Sequence, residues 1–233
     1  LLIFAVGIIL RLLYIQDFNI IFDFDQIEDQ FYTYKLAVDR DLLIIGRAVY
    51  GDARLHHGVF YYYYNLIPFL LSSGNFFVSV YWNIFFNAAT SLLIFFLAKS
   101  IWQKNLPAYL SAFIAAFSFE MIKFSSWLTI DTVSIFTTTL FYFGLWFFYK
   151  GKPWGLALAS LFLGLSLQAD LTFLYLFPIL LIFWVIFKPK IPGFRWLVIS
   201  LLAFLTATFT LILTEIKLNF SGLITLLNFS GTF

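Results

Sequence analysis

A run of carboxylates follows the first apolar stretch of the chain, in the segment Asp23-Phe-Asp-Gln-Ile-Glu-Asp29. Asp25 and Asp29 are four residues apart, so they share one face if the segment is helical. Carboxylates beside an apolar wall can serve as general bases, or they can bind a divalent cation through hard oxygen ligands. A solvated loop that keeps its acids outside a membrane would show the same pattern. The motif alone leaves both interpretations open.

Three further ionisable residues stand next to apolar segments and could join these carboxylates. His57, the second residue of a His-His-Gly sequence, is a candidate metal ligand or phosphate-binding group, or simply a histidine at the start of an interfacial helix. Asp131 begins an apolar segment, where the helix dipole alone would stabilise a carboxylate by about 0.3–1 kcal/mol. Asp170 lies between two apolar segments, and an ionisable residue so placed is a functional candidate by default.

Two basic residues complete the candidates. Arg11 interrupts the first apolar segment, where it either snorkels outward or pairs with a carboxylate of the following loop. Lys123 lies three residues after Glu120, so the two side chains could simply pair with each other.

The composition indicates that these residues lie in a membrane protein. Of the 233 residues, 62% are hydrophobic and 11% are charged, whereas a soluble domain carries about 25% charged residues. The basic residues are spread along loops and form no patch, so nucleic acid is not an expected partner. The absence of cysteine excludes a disulfide framework, a thiolate metal site and a cysteine nucleophile.

Apolar segments predict an all-α polytopic membrane protein with about seven transmembrane helices. The predicted spans are 1–16, 76–98, 106–119, 131–149, 154–169, 171–187 and 195–214. A spanning helix needs roughly 20 residues, and the segments 106–119 and 154–169 are shorter than that. The segment 59–72 contains Asn65 and Pro68, so we predict an interfacial helix there and a second, amphipathic one over residues 26–38.

The distribution of charge sets the predicted orientation. The loops 99–106, 150–153 and 188–195 carry basic residues and no acid, which places them in the cytoplasm. All 12 acidic residues then lie on the outer side, most of them in the first outer loop, residues 17–75. We expect a multi-pass protein of the cell membrane with an extracytoplasmic active site. Residues 1–233 are interpreted as one transmembrane domain, the N-terminal portion of a longer protein.

The order of these motifs resembles that of the GT-C membrane glycosyltransferases. The branch it resembles most contains the dolichyl-phosphate-mannose protein mannosyltransferases and the lipid A aminoarabinose transferases. Phe24-Asp-Gln26 is similar to the Asp-centred motif of their first outer loop, and Leu128-Thr-Ile-Asp131 is similar to their second acidic position. Three more stretches extend the resemblance over about residues 1–220, namely Leu43-Ile-Ile-Gly46, Leu55-His-His-Gly-Val-Phe-Tyr-Tyr-Tyr63 and Glu215-Ile-Lys-Leu-Asn-Phe220. The bacterial pattern usually has arginine where Glu28 stands here.

The resemblance implies a glycosyltransferase with a polyprenyl-phosphate-linked sugar as donor and a glycan, lipid or protein as acceptor. Asp25 would be the catalytic base or an acidic metal ligand, and Asp131 would be the second catalytic acid. The expected substrate-binding residues are Arg11, Gln26, His57, Tyr61, Lys123 and Asp170. No cofactor is certain, and a divalent cation held by Asp25 and His57 is an open alternative.

Two other function classes compete with this interpretation. A transporter or flippase of a lipid-linked sugar would also need charges within the membrane and a groove for lipid. Transporters tend to show repeats, discontinuous helices and charges at mid-membrane, whereas here the charges lie at the outer rim. A non-catalytic scaffold would tolerate the loss of Asp25 and Asp131. We expect the enzyme, with the transporter as the main alternative.

Overall fold

The computed structural model describes residues 1–17, 20, 22–49 and 52–228. Residues 18–19, 21 and 50–51 of the predicted first outer loop, and residues 229–233 of the predicted domain, lie outside this description. The described chain is mostly helical, as the apolar segments predict. Its one described pair of strands is a short antiparallel hairpin in the first loop, in which Ala48 pairs with His56. The hairpin departs from the all-α prediction.

Eleven α-helices and two strands make up the described chain. The helices are α1 (Leu2–Ile15), α2 (Phe24–Tyr34), α3 (Phe60–Ser72), α4 (Phe76–Trp102), α5 (Asn105–Phe117), α6 (Phe119–Ser125), α7 (Ile130–Tyr149), α8 (Trp154–Ala169), α9 (Leu176–Phe187), α10 (Phe194–Lys217) and α11 (Ser221–Leu227). A π-helical turn, Lys35–Asp39, extends α2, and a 3-10 turn, Leu171–Tyr175, leads into α9. The strands are β1 (Ala48–Val49) and β2 (Asp52–His56).

Three helices, α4, α7 and α10, are long and apolar enough to cross a membrane. The consecutive helices α5 and α6 would make a fourth span if they act as one, although the chain bends by 53° between them. The prediction of seven spans is not confirmed, because the other apolar segments form helices of only 10–17 residues. Many large apolar side chains of these helices are exposed, including Leu181 at 67% and Ile114 at 68%. This surface is typical of a membrane protein.

Both helices predicted in the first loop are present. The helix α2 starts with a capping box, in which the Asp23 and Gln26 side chains each bond the other's backbone N–H. The helix α3 keeps Pro68 inside it. Buried side chains at its start, including Tyr61 and Tyr62, pack with Ile130 at the start of α7. This packing fixes the first loop over one end of the helix bundle.

The helices α7 and α8 form an antiparallel pair whose backbones are in close contact. A Cβ atom on Gly144 would lie 2.6 Å from the backbone nitrogen of Ala159, and one on Gly155 would collide with the backbone of Phe148. Small residues at such positions let membrane helices approach closely. The pairing places Asp131, near the start of α7, and Asp170, just after α8, at the same end of the bundle.

Candidate functional site

A cavity of about 530 Å³ lies where the first loop meets this end of the bundle. It is lined by Phe24, Asp25, Glu28, Arg47, Ala48, His57, Asp131 and Asp170. The start of α2, the hairpin, the start of α7 and the end of α8 each contribute to the wall. The structure therefore brings together four of the residues that the sequence indicated, namely Asp25, His57, Asp131 and Asp170. They are far apart in the chain.

Arg47 is the central cation of the cavity. Its Nη1 atom lies 2.6 Å from Oδ1 of Asp25, and its Nε atom lies 3.6 Å from Oδ1 of Asp29. The Arg47 side chain is 9% exposed and Asp25 is 53% exposed, whereas Asp29 is fully buried. The Arg47 guanidinium thus contacts both the buried carboxylate of Asp29 and the accessible carboxylate of Asp25 at the cavity surface.

Burial and the charge of Arg47 shift the pKa of Asp29 in opposite directions. Burial raises the pKa of Asp29 to about 7, against the opposing attraction of Arg47. Burial alone would lower the pKa of Arg47, but the charges of Asp29 and Asp25 more than compensate and raise it. Near neutral pH the arginine is therefore firmly charged, while the buried carboxylate beside it titrates.

His57 faces Asp170 across the cavity and is anchored through its backbone. Its Nδ1 atom lies 3.8 Å from Oδ2 of Asp170, and its backbone N–H donates to the Arg47 carbonyl at 3.0 Å. Burial lowers the pKa of His57 to about 4, although Asp170 acts in the opposite direction. The imidazole is therefore neutral at pH 7. It can exchange hydrogen bonds with a ligand, but it does not supply the positive charge that a phosphate needs.

Asp131 and Asp170 are held by the helix ends on which they lie. Thr129, the N-cap of α7, accepts a hydrogen bond from the Asp131 backbone N–H at 3.1 Å and donates its hydroxyl to Oδ2 of Asp131 at 3.3 Å. Asp170 accepts from the backbone N–H of Thr172 at 2.5 Å. Thr129 thus caps α7 beside Asp131, and Asp170 itself caps the 3-10 turn Leu171–Tyr175. These bonds also fix two neighbouring carboxylates that interact across the cavity.

Gln168 ties the His-His-Gly segment to two helices. Its Oε1 atom accepts from the backbone N–H of Val59 at 3.1 Å, and its Nε2 atom donates to the Ala207 carbonyl at 2.8 Å. A Cβ atom on Gly58 would collide with Gln168, and one on Gly46 would collide with the His57 carbonyl. The two glycines permit this close packing, which holds the His57 backbone beside α8. Sequence reasoning missed Gln168, whose only signal is an amide inside an apolar helix.

Arg11 lies away from the cavity and requires a correction. The prediction that it snorkels outward or pairs with a carboxylate is wrong. Its side chain is fully buried and donates to Asn87 Oδ1 at 3.0 Å, to the Gly7 carbonyl at 2.8 Å and to the Ala116 carbonyl at 3.2 Å. These neutral acceptors join α1 to α4 and α5, so Arg11 has a packing role in the bundle.

Three other predicted substrate-binding residues also lie outside the cavity wall. Gln26 is fully buried, with its amide engaged in the capping box of α2. Tyr61, on α3, is fully buried among apolar residues. The tyrosine that contacts Arg47 is its neighbour Tyr62, whose phenol oxygen accepts a hydrogen bond from the Arg47 backbone N–H at 3.3 Å. Lys123 lies on α6, and in the described ranges it forms no ion pair with Glu120.

The predicted cation site at Asp25 and His57 is not assembled in this arrangement. Within residues 1–17, 20, 22–49 and 52–228, no three or more His, Asp or Glu side chains are grouped so that they could hold a metal ion. The described ionic partner of Asp25 is the guanidinium of Arg47, whose Nη1 atom lies 2.6 Å from its Oδ1 atom. A permanent positive charge therefore already stands among these carboxylates.

Arg47 is the main residue of the cavity that sequence reasoning missed. It follows Gly46 directly, and it lies between the acidic segment and His57 in the same loop. Its place in the cavity depends on the hairpin, in which the Arg47 carbonyl accepts the His57 N–H. A pairing of two such short strands carries little periodicity that a sequence would show.

Comparison with known proteins assigns no family to this chain. No protein-family model matches it, and no curated protein matches it. The resemblance to the GT-C glycosyltransferases remains a prediction from short motifs, so the function has to be inferred from the chemistry of the cavity.

Proposed function

We propose that this chain is a membrane glycosyltransferase that moves a sugar from a polyprenyl-phosphate donor to an acceptor hydroxyl on the extracytoplasmic side. The observation that carries the proposal is the cavity itself, where one arginine and one neutral histidine meet four carboxylates, two from α2, one from α7 and one from the end of α8. A sugar offers hydroxyls to carboxylates, and a phosphate offers negative charge to an arginine. The cavity contains both kinds of partner side by side.

The reaction is a single displacement at the anomeric carbon. The acceptor oxygen forms a bond to that carbon while the bond from the carbon to the phosphate oxygen breaks. The electron pair leaves with the polyprenyl phosphate, and the acceptor proton passes to a carboxylate, so the sugar is transferred with inversion. Because the lipid phosphate is already a good leaving group, no nucleotide is required.

Asp25 is the proposed base. Its carboxylate is the accessible member of the pair that Arg47 holds, and only its Oδ1 atom takes part in that ion pair. The other oxygen is available to accept the acceptor proton, since a positioned carboxylate within hydrogen-bond reach is what general base catalysis needs. Asp131 and Asp170, fixed by their caps, would bind hydroxyls of the sugar.

Arg47 is the proposed phosphate-binding group, in place of the predicted Arg11, His57 and Lys123. It lines the cavity, it is charged at every relevant pH, and guanidinium groups bind phosphate oxygens in a bidentate manner. Charge that develops on the departing phosphate would be stabilised by such a fixed cation more in the transition state than in the ground state. Its ion pair with Asp25 links the base to the leaving-group site.

The seven-span arrangement is part of the same proposal. In it the short helices α1 and α8, the bent pair of α5 and α6, and the segment Leu171–Phe187 cross beside the three long helices. The basic turns then face the cytoplasm and the cavity faces outward, as the positive-inside rule favours. Exposed apolar side chains on the short segments, such as Leu181, support a lipid-facing position.

The proposal is tested by transfer from a radiolabelled polyprenyl-phosphate sugar in membranes that contain the full-length protein. Asp25→Asn should lower transfer by roughly 100-fold or more, as the loss of a general base typically does. The matched control is Asp23→Asn, because Asp23 carries the same charge two residues away and lies outside the cavity wall. Asparagine is as good an N-cap as aspartate, so α2 should keep its cap in the control.

Two outcomes would count against the proposal. Equal transfer by Asp25→Asn and the wild type would remove Asp25 as the base. An absence of transfer across a panel of donors and acceptors, together with movement of a lipid-linked sugar between leaflets of proteoliposomes, would replace the enzyme with the transporter.

A further inference from the structure

A second cavity lies at the other end of the pair formed by α7 and α8. It has a volume of about 690 Å³ and lies between the turn after α7 and the turn before α10. Lys150, Lys188 and Lys190 are part of its lining, and no carboxylate is. The helix α7 has 20 residues, so about 30 Å separate this end from Asp131 at 1.5 Å per residue.

The three lysines have no acidic partner in the described chain. None of the described ion pairs includes them, and the sequence contains no Asp or Glu in residues 132–169 or 171–214. The Lys150 ammonium lies 4.8 Å from the centre of the Trp146 ring, which is its one described charge contact. All three side chains are exposed. The cavity therefore has a concentrated positive charge in its lining that no acidic side chain of the described chain neutralises.

An apolar groove adjoins this cavity. It has a volume of about 380 Å³ and is lined by side chains of α4, α7 and α9, among them Ile101, Leu145 and Ile182. Tyr149 and Phe187 line both the groove and the basic cavity, so the two spaces are neighbours. The groove runs away from the lysines along the apolar part of the helices.

We propose that the basic cavity and the groove together bind an anionic phospholipid. Its phosphate would lie against Lys150, Lys188 and Lys190, and one acyl chain would lie in the groove. Charge complementarity selects an anionic headgroup, since basic pockets between membrane helices bind such groups. The adjoining apolar groove selects a lipid over a free phosphate ion. Tyr149 and Trp196 lie at the level of the headgroup, where aromatic side chains are favoured.

This site is separate from the proposed sugar transfer. The lysines and Asp131 lie at opposite ends of α7, so a lipid bound here does not reach the acidic cavity. In the proposed orientation the basic cavity faces the cytoplasmic leaflet, where anionic lipids are abundant. The inference holds whether or not the chain is a glycosyltransferase.

The test is native mass spectrometry of the purified full-length protein with phosphatidylglycerol or phosphatidylcholine of identical acyl chains. We expect one phosphatidylglycerol per protein with an affinity roughly 100-fold above that of phosphatidylcholine, because each of the three lysines attracts the net negative charge that only the phosphatidylglycerol headgroup carries. The triple variant Lys150→Gln, Lys188→Gln, Lys190→Gln should lose this preference. The control triple variant Lys99→Gln, Lys104→Gln, Lys152→Gln removes the same charge from the basic loops without touching the cavity wall, and should keep it.

A second pair of variants tests the groove. Ile182→Trp would fill it, whereas Ile186→Trp adds the same bulk on α9 at a residue that is 65% exposed and outside the groove lining. Only Ile182→Trp should weaken phosphatidylglycerol binding, by an expected factor of about ten. Glycerophosphoglycerol, the deacylated headgroup with the same phosphodiester charge and no acyl chains, should bind far more weakly than the lipid.

Three results would overturn the inference. Equal retention of the two lipids would remove the headgroup preference. Equal loss of that preference in both triple variants would indicate a general charge effect. Glycerophosphoglycerol binding as tightly as the lipid would make the groove irrelevant.

Discussion

Two regions of the molecule each bury an arginine, and the two arginines have different partners. Arg47, at the acidic cavity, contacts the carboxylates of Asp25 and Asp29. Arg11, between α1, α4 and α5, contacts the Asn87 side-chain oxygen and two backbone carbonyls. A buried charge among neutral acceptors holds helices together, whereas one that shares carboxylates with a cavity can also bind a ligand. Both arginine side chains are buried, so it is the groups they contact that distinguish a structural arginine from one that can bind a ligand.

The largest effect is expected from Arg47→Gln. Removing one partner of a buried ion pair typically costs 3–5 kcal/mol, because the other charge is left uncompensated. Here that charge is Asp29, whose pKa is about 7 even beside Arg47, so it should take up a proton at pH 7 and the free energy of unfolding should fall by less than that amount. Transfer should also be lost. Thermal unfolding in detergent and the transfer assay measure the two effects.

A double variant separates the two effects of Arg47→Gln. In Arg47→Gln with Asp29→Asn the buried carboxylate is gone, so most of the lost stability should return while transfer stays absent. Recovery of transfer in the double variant would contradict a role for Arg47 in binding phosphate. Arg47 would then have a structural role, as Arg11 does.

The next effect concerns how stability depends on pH, and the substitution Asp29→Asn should change this dependence. Since burial raises the pKa of Asp29 to about 7, the folded protein binds its proton more tightly than the unfolded chain, and stability falls as the pH rises from about 4 to 7. Since burial lowers the pKa of His57 to about 4, stability rises as the pH increases from about 4 to 6.5. In the wild type these two slopes oppose each other.

Asp29→Asn removes the falling slope and leaves the rising one. The variant should therefore gain stability from pH 4 to 6.5 relative to the wild type, as measured by chemical denaturation in detergent at each pH. The variant His57→Asn is the converse control, with stability that falls over the same range. Parallel profiles for all three proteins would show that neither group titrates in this way.

The smallest effect on transfer is expected from Arg11→Met. Methionine has a similar length and no charge, but it leaves the Asn87 side-chain oxygen and the Ala116 carbonyl without the Arg11 donor. Each buried acceptor left unsatisfied costs about 1–3 kcal/mol, so the free energy of unfolding should fall by a few kcal/mol. Transfer should be unchanged at equal expression. A loss of transfer with unchanged stability would move Arg11 back into the functional region.

The sequence predicted the helices well because apolar runs end at recognisable breaks. Lys150-Gly-Lys-Pro153 separates α7 from α8, and the predicted segment 154–169 coincides with α8. The number of spans did not follow, because several of these helices are shorter than a membrane crossing requires. The length of each helix in the folded chain depends on packing between segments. The bend between α5 and α6, for example, divides one apolar stretch into two helices.

The candidate site was predicted in part, for geometrical reasons. Asp25 and Asp131 both lie at helix starts, and both reach the cavity. Gln26 does not, because successive residues on a helix are about 100° apart and so face different directions. On α3 both Tyr61 and Tyr62 are buried, but it is the Tyr62 phenol that accepts a hydrogen bond from the Arg47 backbone N–H. Arg47 itself depends on a hairpin and a cross-loop ion pair. Such contacts between distant segments have no local pattern.

The close backbone contact between α7 and α8 has a mechanical consequence. At Gly144 and Gly155 the two helices touch without side chains between them, so little can be compressed there. Asp131 and Asp170 lie at one end of this helix pair, beneath the first loop. If the surrounding bilayer thins or thickens, the helix pair should tilt as one body. The spacing of the two carboxylates would then remain the same in membranes of different thickness.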